Sequence, residues 1–324
     1  MKDSLRLIRF TSWFVAPAFI STLFISTTFT RTPFVQIALA QTNKSSTFQA
    51  DVKLVRLLVN VKNAAGELVG SVDKSEFTVF DNGVAQEIAV FERYTNKPLS
   101  IALMVDTSGS TAKDWQVEVK SIRKFLNALF REGNDRDAAA LFTFDYDVTM
   151  RRDFTRDAQR LENSLKGIKP EGSTSLYDAI YHTSQQLQRR SDGRRVIVLV
   201  SDGGNTTSAK AYKDAQEAAQ RADVVMYPIV IVPIENDAGR NTGGEHALQT
   251  LATNTGGRWF DPTLGELDNT FTEILRDLRA QYMLAYYPKN LPPGTPKFHS
   301  VRVEIQRKDL RAQTRAGYYG EDSR

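Results

Sequence analysis

The chain has 324 residues, 41% of them hydrophobic, 25% charged and 10% aromatic, a composition that excludes collagen-like, low-complexity and wholly disordered classes. It has no cysteine, so disulfides, thiolate zinc sites and cysteine nucleophiles are ruled out, and its three histidines, His182, His246 and His299, fall in unrelated contexts. Of the net charge of +4, residues 1–40 supply +3 (Lys2, Arg6, Arg9 and Arg31 against Asp3), so the remainder is nearly neutral and lacks the electrostatic footprint of a nucleic-acid binder.

Residues 1–40 have the three-part layout of an export signal. Lys2, Arg6 and Arg9 form a positive start, the stretch from Phe10 to Thr30 carries no charge, and Ala38-Leu39-Ala40 is a small-x-small cleavage pattern. The uncharged run is long enough to span a bilayer as a helix, whereas its Ser, Thr and Pro17 weaken it as a permanent anchor. Two readings follow, a signal peptide cleaved after Ala40 or a retained N-terminal anchor, which would be the chain's one membrane contact. Both export the rest of the chain, as a secreted, periplasmic or envelope-associated protein. Residues 41–49 are polar and read as a linker.

Residues 50–96 read as a small antiparallel β unit. Val55, Leu57, Val59 and Val61 alternate with more polar positions, which predicts a half-buried strand. Phe77 and Val79 predict a second strand, Asn82-Gly83 a hairpin turn, and Val84, Gln86, Ile88 and Val90 one return strand. So few strands cannot bury a core, and more must come from elsewhere.

Residues 97–280 alternate strand and helix patterns. Buried strands are predicted at 100–105, 138–144, 195–200 and 224–232, a short edge strand at 147–150, and a last strand at 258–260. Helices are predicted around Trp115 to Leu129, Leu161 to Ile168, Leu176 to Leu187, Ala211 to Ala219, His246 to Ala252 and Phe271 to Leu278. The fold class is therefore α/β, with a doubly wound, mostly parallel Rossmann-like sheet. In residues 281–324, strands are predicted at 282–286, 301–305 and 313–319. These should complete an antiparallel β-sandwich-like domain with residues 50–96, flanking the α/β insertion.

The chemistry lies at the strand ends, where a doubly wound sheet binds its ligands. The first central strand runs into Asp106-Thr107-Ser108-Gly109-Ser110, Gly172-Ser173-Thr174 precedes a helix, and another strand ends in Ser201-Asp202-Gly203-Gly204. Oxygen donors with no soft ligand suit a small hard cation, Mg²⁺ or Mn²⁺. Neutral hydroxyls would leave such a cation electrophilic towards an anionic ligand from outside. Asp178 reads as a structural hydrogen-bonding residue, Asp145 and Asp147 as a solvated turn, and Tyr286, Tyr287, Tyr318 and Tyr319 as strand packing.

Asp-x-Ser-x-Ser, a distant Thr and a distant Asp-Gly resemble the metal-ion-dependent adhesion site of von Willebrand factor A domains. The resemblance spans Pro98 to Ala280 and implies that Asp106, Ser108, Ser110, Thr174 and Asp202 are the metal-site residues. It further implies a non-enzymatic protein-interaction or adhesion module whose partner presents an Asp or Glu carboxylate to the bound cation. The segments 76–83, 281–288 and 315–319 also resemble those flanking such domains in a bacterial exported subtype. The rival readings are a metal-dependent hydrolase or phosphatase with Asp106 as nucleophile, and a structural envelope protein with a vestigial metal site. Against the enzyme, Ser108 stands where a nucleophilic-aspartate phosphatase needs a second Asp, no Gly-x-Ser-x-Gly turn occurs, and no His lies near a motif in sequence.

Overall fold

The computed structural model describes residues 54–93, 96–191, 193–231, 241–291 and 297–320. The expected export signal or anchor and the linker up to residue 49 lie outside these residues. Among the described residues, no helix is long and apolar enough to cross a membrane.

The central sheet has five strands, β5 (Leu99–Asp106), β6 (Ala138–Phe144), β7 (Val148–Thr155), β8 (Arg194–Ser201) and β9 (Val224–Val230), in the order β7-β6-β5-β8-β9. β5, β6, β8 and β9 are parallel and β7 is antiparallel to β6. Every residue of β5 and β9 is buried, as expected of strands covered on both faces. Helices α1 (Trp115–Glu132) and α6 (Leu267–Arg279) cover one face through Trp115, Val119, Ile122, Phe125, Phe271 and Ile274. Helices α3 (Leu176–Gln188), α4 (Tyr212–Arg221) and α5 (Thr242–Thr255) cover the other.

Four expectations inside this layer change. The edge strand β7 runs to Thr155, well past residue 150, and its exposed Arg151, Arg152 and Asp153 discourage pairing with another chain. The helix expected at Leu161 to Ile168 is α2, Ala158–Asn163; Leu165 is still buried, but Gly167 at φ +76° has already turned the chain. Helix α5 exceeds the expected 246–252, starting at an Asn241 cap that accepts from the Gly244 N–H and ending at Gly256 in the left-handed region.

The fourth change is the strand expected at 258–260, which is a single bridge. Phe260 donates to the Pro228 carbonyl at 2.9 Å and accepts from the Val230 N–H at 2.8 Å. Extending this parallel ladder backwards needs an N–H at residue 228, and extending it forwards needs one at residue 262. Both are proline, so the ladder stops after one residue.

The remaining strands are β1 (Val55–Asn63), β2 (Phe77–Asp81), β3 (Val84–Gln86), β4 (Ile88–Glu92), β10 (Tyr282–Tyr286), β11 (Phe298–Ile305), β12 (Leu310–Gln313) and β13 (Gly317–Tyr319). They form two antiparallel four-stranded sheets, β12-β1-β10-β4 and β13-β11-β2-β3, so both ends of the described chain build both sheets. The single return strand expected over 84–90 is two strands that break at Glu87 and enter different sheets. The strand expected over 313–319 likewise divides into β12 and β13. Apolar alternation reads continuously through such a corner, where a strand leaves one sheet for the other, because each half still points its apolar side chains inward.

Between the sheets lie Leu57, Val59, Phe77, Val79, Tyr282, Leu284 and Tyr286. Asp81 is fully buried there; it accepts from the Tyr286 hydroxyl at 2.9 Å and the Tyr318 hydroxyl at 2.7 Å, and pairs with His299 Nδ1 at 3.0 Å. Tyr286 belongs to one sheet and the other three residues to its partner, so this polar knot ties the sheets together. The α/β layer meets the sandwich at Asp277 of α6, whose Oδ2 lies 3.3 Å from Lys62 Nζ on β1 and 3.1 Å from Arg258 Nε.

Candidate metal centre

β5 lies between β6 and β8. The chain passes from β5 to one neighbour and later returns on the other side, so the crevice of the doubly wound sheet opens between the carboxyl ends of β5 and β8. Asp106 is the last residue of β5 and Ser201 the last of β8.

Asp106 is fully buried. Its Oδ1 accepts from the Ser108 N–H at 2.9 Å and its Oδ2 from the Ser201 hydroxyl at 2.6 Å. Ser201 Oγ in turn accepts from the Gly203 N–H at 3.0 Å. Ser108 and Ser110 point to the same side, with their Oγ atoms 3.1 Å apart. The turn that carries them is held by the Thr111 hydroxyl, 3.0 Å from the Ser108 carbonyl, and by the Gly109 N–H, which donates to the Gly172 carbonyl at 3.1 Å.

Thr174 arrives from the loop before α3. Its N–H donates to the Thr206 hydroxyl at 2.9 Å, and its carbonyl accepts from the Thr206 and Thr207 amides at 2.8 and 3.1 Å. The Thr174 loop is thus bound to the loop after β8. Asp202 Oδ1 accepts from the Gly204 N–H at 2.8 Å. A Cβ on Gly204 would stand 3.0 Å from Asp202 Oδ1 and 3.6 Å from Thr174 Oγ1, so both side chains converge on a cradle that glycine leaves open. The structure therefore brings together two groups: Asp106 with Ser108 and Ser110 on one loop, and Thr174 with Asp202 across the other two.

Three contributors were not identified as site residues from sequence. Ser201 orients Asp106. Asn241 donates from Nδ2 to the Gly203 carbonyl at 3.0 Å and so fixes the Asp202 loop to the start of α5. Glu118 lies on α1 only 2% exposed, and its Oε2 has no hydrogen-bond partner. A sequence signal for Glu118 existed: an acid at i+3 from Trp115, on the apolar face that Val119 and Ile122 continue. Asp178, by contrast, accepts from the backbone amides of Ala209 and Lys210 at 2.9 and 2.7 Å, a loop-holding role.

The electrostatics are those of uncompensated acids. Burial pushes the Asp106 carboxyl up to about 6, against the opposing hydrogen bonds from Ser108 and Ser201, and the charge of Asp202 adds to the rise. Burial, followed by repulsion from Asp106, Asp114 and Asp202, pushes Glu118 up to about 8. Among the described residues, no group of three or more His, Cys, Asp or Glu is arranged to hold a metal ion. A cation here would rely on hydroxyls alongside carboxylates. The all-oxygen donor set, the orphaned Glu118 oxygen and the mutual repulsion of the acids all fit a small hard cation.

Residues 101–205 match the family profile of the von Willebrand factor type A domain. This segment resembles a von Willebrand factor type A domain. Domains of this family are generally protein-interaction modules rather than enzymes. No curated protein matches the chain in sequence. Among solved structures, the chain is similar to an aerotolerance-related membrane protein from Bacteroides fragilis (17% identity, 56% of this chain and 98% of that one, TM-score 0.44). It is also similar to the von Willebrand factor domain of the type V pili tip protein Mfa5 from Porphyromonas gingivalis (14% identity, 56% and 95%, TM-score 0.46). A third similar structure is proximal thread matrix protein 1 from the mussel byssus (16% identity, 61% and 51%, TM-score 0.48).

Proposed function

We propose that this chain is a non-enzymatic, divalent-cation-dependent protein-interaction module that works outside the cytoplasm. Asp106, Ser108, Ser110, Thr174 and Asp202 hold Mg²⁺ or Mn²⁺, and a partner's Asp or Glu completes the shell. The observation that carries the reading is the Ser108–Ser110 hydroxyl pair, 3.1 Å apart beside the buried Asp106 at the carboxyl end of β5, together with the approach of Thr174 and Asp202 to Gly204 after β8.

Ser108, Ser110 and Thr174 bring neutral oxygens, so a bound cation keeps much of its charge and attracts an external carboxylate. Asp106 is sequestered by Ser108 and Ser201, which suits a carboxylate that orients the hydroxyl loop and balances charge. Both of its oxygens are committed to these donors, which disfavours it as a nucleophile. Location outside the cytoplasm rests on the export-signal pattern of residues 1–40.

Calorimetry tests the metal. Mg²⁺ should bind the full chain at one site, and Asp106→Ala should abolish binding with little change in circular dichroism. Equal Mg²⁺ affinity in the two proteins would refute the site. A pull-down from envelope extract, with and without chelator, tests the interaction; a partner retained in excess chelator would replace the metal bridge with a plain surface interface.

A further inference from the structure

Tyr146 is the most exposed large hydrophobic side chain among the described residues, at 68%. It stands at the tip of the β6–β7 hairpin, between Asp145 and the exposed Asp147. An exposed aromatic on a loose loop would mean little, but this tip is anchored from both sides of the metal centre. The Asp145 carbonyl accepts from the Ser175 N–H at 2.7 Å, and the Tyr146 carbonyl accepts from the Ser175 hydroxyl at 2.8 Å. Ser175 directly follows the site residue Thr174. On the other side, the Thr107 hydroxyl donates to Asp145 Oδ2 at 3.1 Å, and Thr107 lies between Asp106 and Ser108. Within the tip, the Asp147 N–H donates to Asp145 Oδ1 at 3.0 Å, and the Asp145 N–H donates to the Asp147 carbonyl at 3.1 Å.

Each carboxylate oxygen of Asp145 thus has its own donor, one from within the tip and one from the Asp106 loop. Asp147 differs: it is exposed and directly follows Tyr146 in the chain. A rigidly presented aromatic costs little entropy on binding, and such residues make effective anchors in interfaces. An exposed phenol ring, with its negative face, and an exposed carboxylate on the next residue are both complementary to a cationic side chain.

Resting on the metal-bridged reading above, we propose that Tyr146 and Asp147 form a second contact point that receives a Lys or Arg of the same partner segment whose Asp or Glu meets the cation. The partner segment is then read at two points, an acid at the crevice and a base at the hairpin tip. Because Ser175 and Thr107 tie the tip to both site loops, the separation of the two points is set by the fold. The acid and base in the partner should therefore keep a fixed spacing.

A random-peptide library panned against the full chain in Mg²⁺ and eluted with chelator tests this. The eluted peptides should share an Asp or Glu and, at one constant offset, a Lys or Arg. Panned against the Tyr146→Ala/Asp147→Asn variant, the acid should persist and the base should lose its enrichment. One wild-type peptide should bind this variant about 5- to 30-fold more weakly, Tyr146→Phe should retain binding, and calorimetry should show unchanged Mg²⁺ affinity. An acid without a fixed base, an apolar residue in place of the base, or a base enrichment that survives the double variant would overturn the hairpin contact while leaving the metal reading intact. Peptides that lack an acid or resist chelator would overturn the metal reading and this proposal with it.

Discussion

Ser201 Oγ donates to Asp106 Oδ2 at 2.6 Å and so joins the tips of the two strands that flank the sheet's switch point. The bond is buried, and it leaves Asp106 unable to turn towards solvent. Ser201→Ala removes a donor from a buried carboxylate without adding bulk. The expected cost is about 1.5–3 kcal/mol of folding stability. Mg²⁺ affinity should fall as well, because the freed carboxylate no longer holds the Ser108 loop. Urea unfolding and calorimetry on the variant check both; unchanged values in each would show that Ser201 is incidental.

Glu118 makes stability depend on pH. Its carboxyl is raised from 4.5 to about 8 in the fold, so it is neutral there over a range in which the unfolded chain is ionised. Its contribution to stability is complete below about pH 4.5 and is lost as pH rises towards about 8. In chelator, stability should therefore decline from pH 5 to pH 8. Glu118→Gln should flatten that decline and leave the variant more stable at pH 8 by about 2–4 kcal/mol. Added Mg²⁺ should narrow the gap between the two proteins by lowering the repulsion among the acids. Denaturant titrations at three pH values read the slope; identical slopes for wild type and variant would remove Glu118 from the account.

The sandwich predicts a dependence between chain ends. β1 pairs with β10 and β12, and β2 pairs with β11, all of which come from beyond residue 281. Within residues 54–93, the only adjacent strand pair is β2–β3, three residues deep. A peptide of residues 54–93 should therefore stay unfolded, with poor amide dispersion in its NMR spectrum, because a single short hairpin is not stable in water. A well-dispersed spectrum from that peptide would contradict the pairing.

Local periodicity determined the parts of this protein. Continuous apolar runs such as 100–105 and 195–200 mark strands buried on both faces, and the 4-3-4-3 spacing from Trp115 to Leu129 marks α1. Their alternation entails a parallel sheet, and the five oxygen-bearing side chains stand out because each follows a strand or precedes a helix. Tertiary structure alone decided what those parts meet. The order β7-β6-β5-β8-β9 carries Ser201 to Asp106, though 95 residues separate them in sequence. It also turns Glu118 inward to the acids of the crevice, a direction that a helical stripe does not specify. The break at Glu87 and the lone bridge at Phe260 escaped detection for a related reason. Alternation reports which face a side chain takes, whereas sheet membership depends on which backbone N–H groups find acceptors, and Pro228 and Pro262 have none to offer.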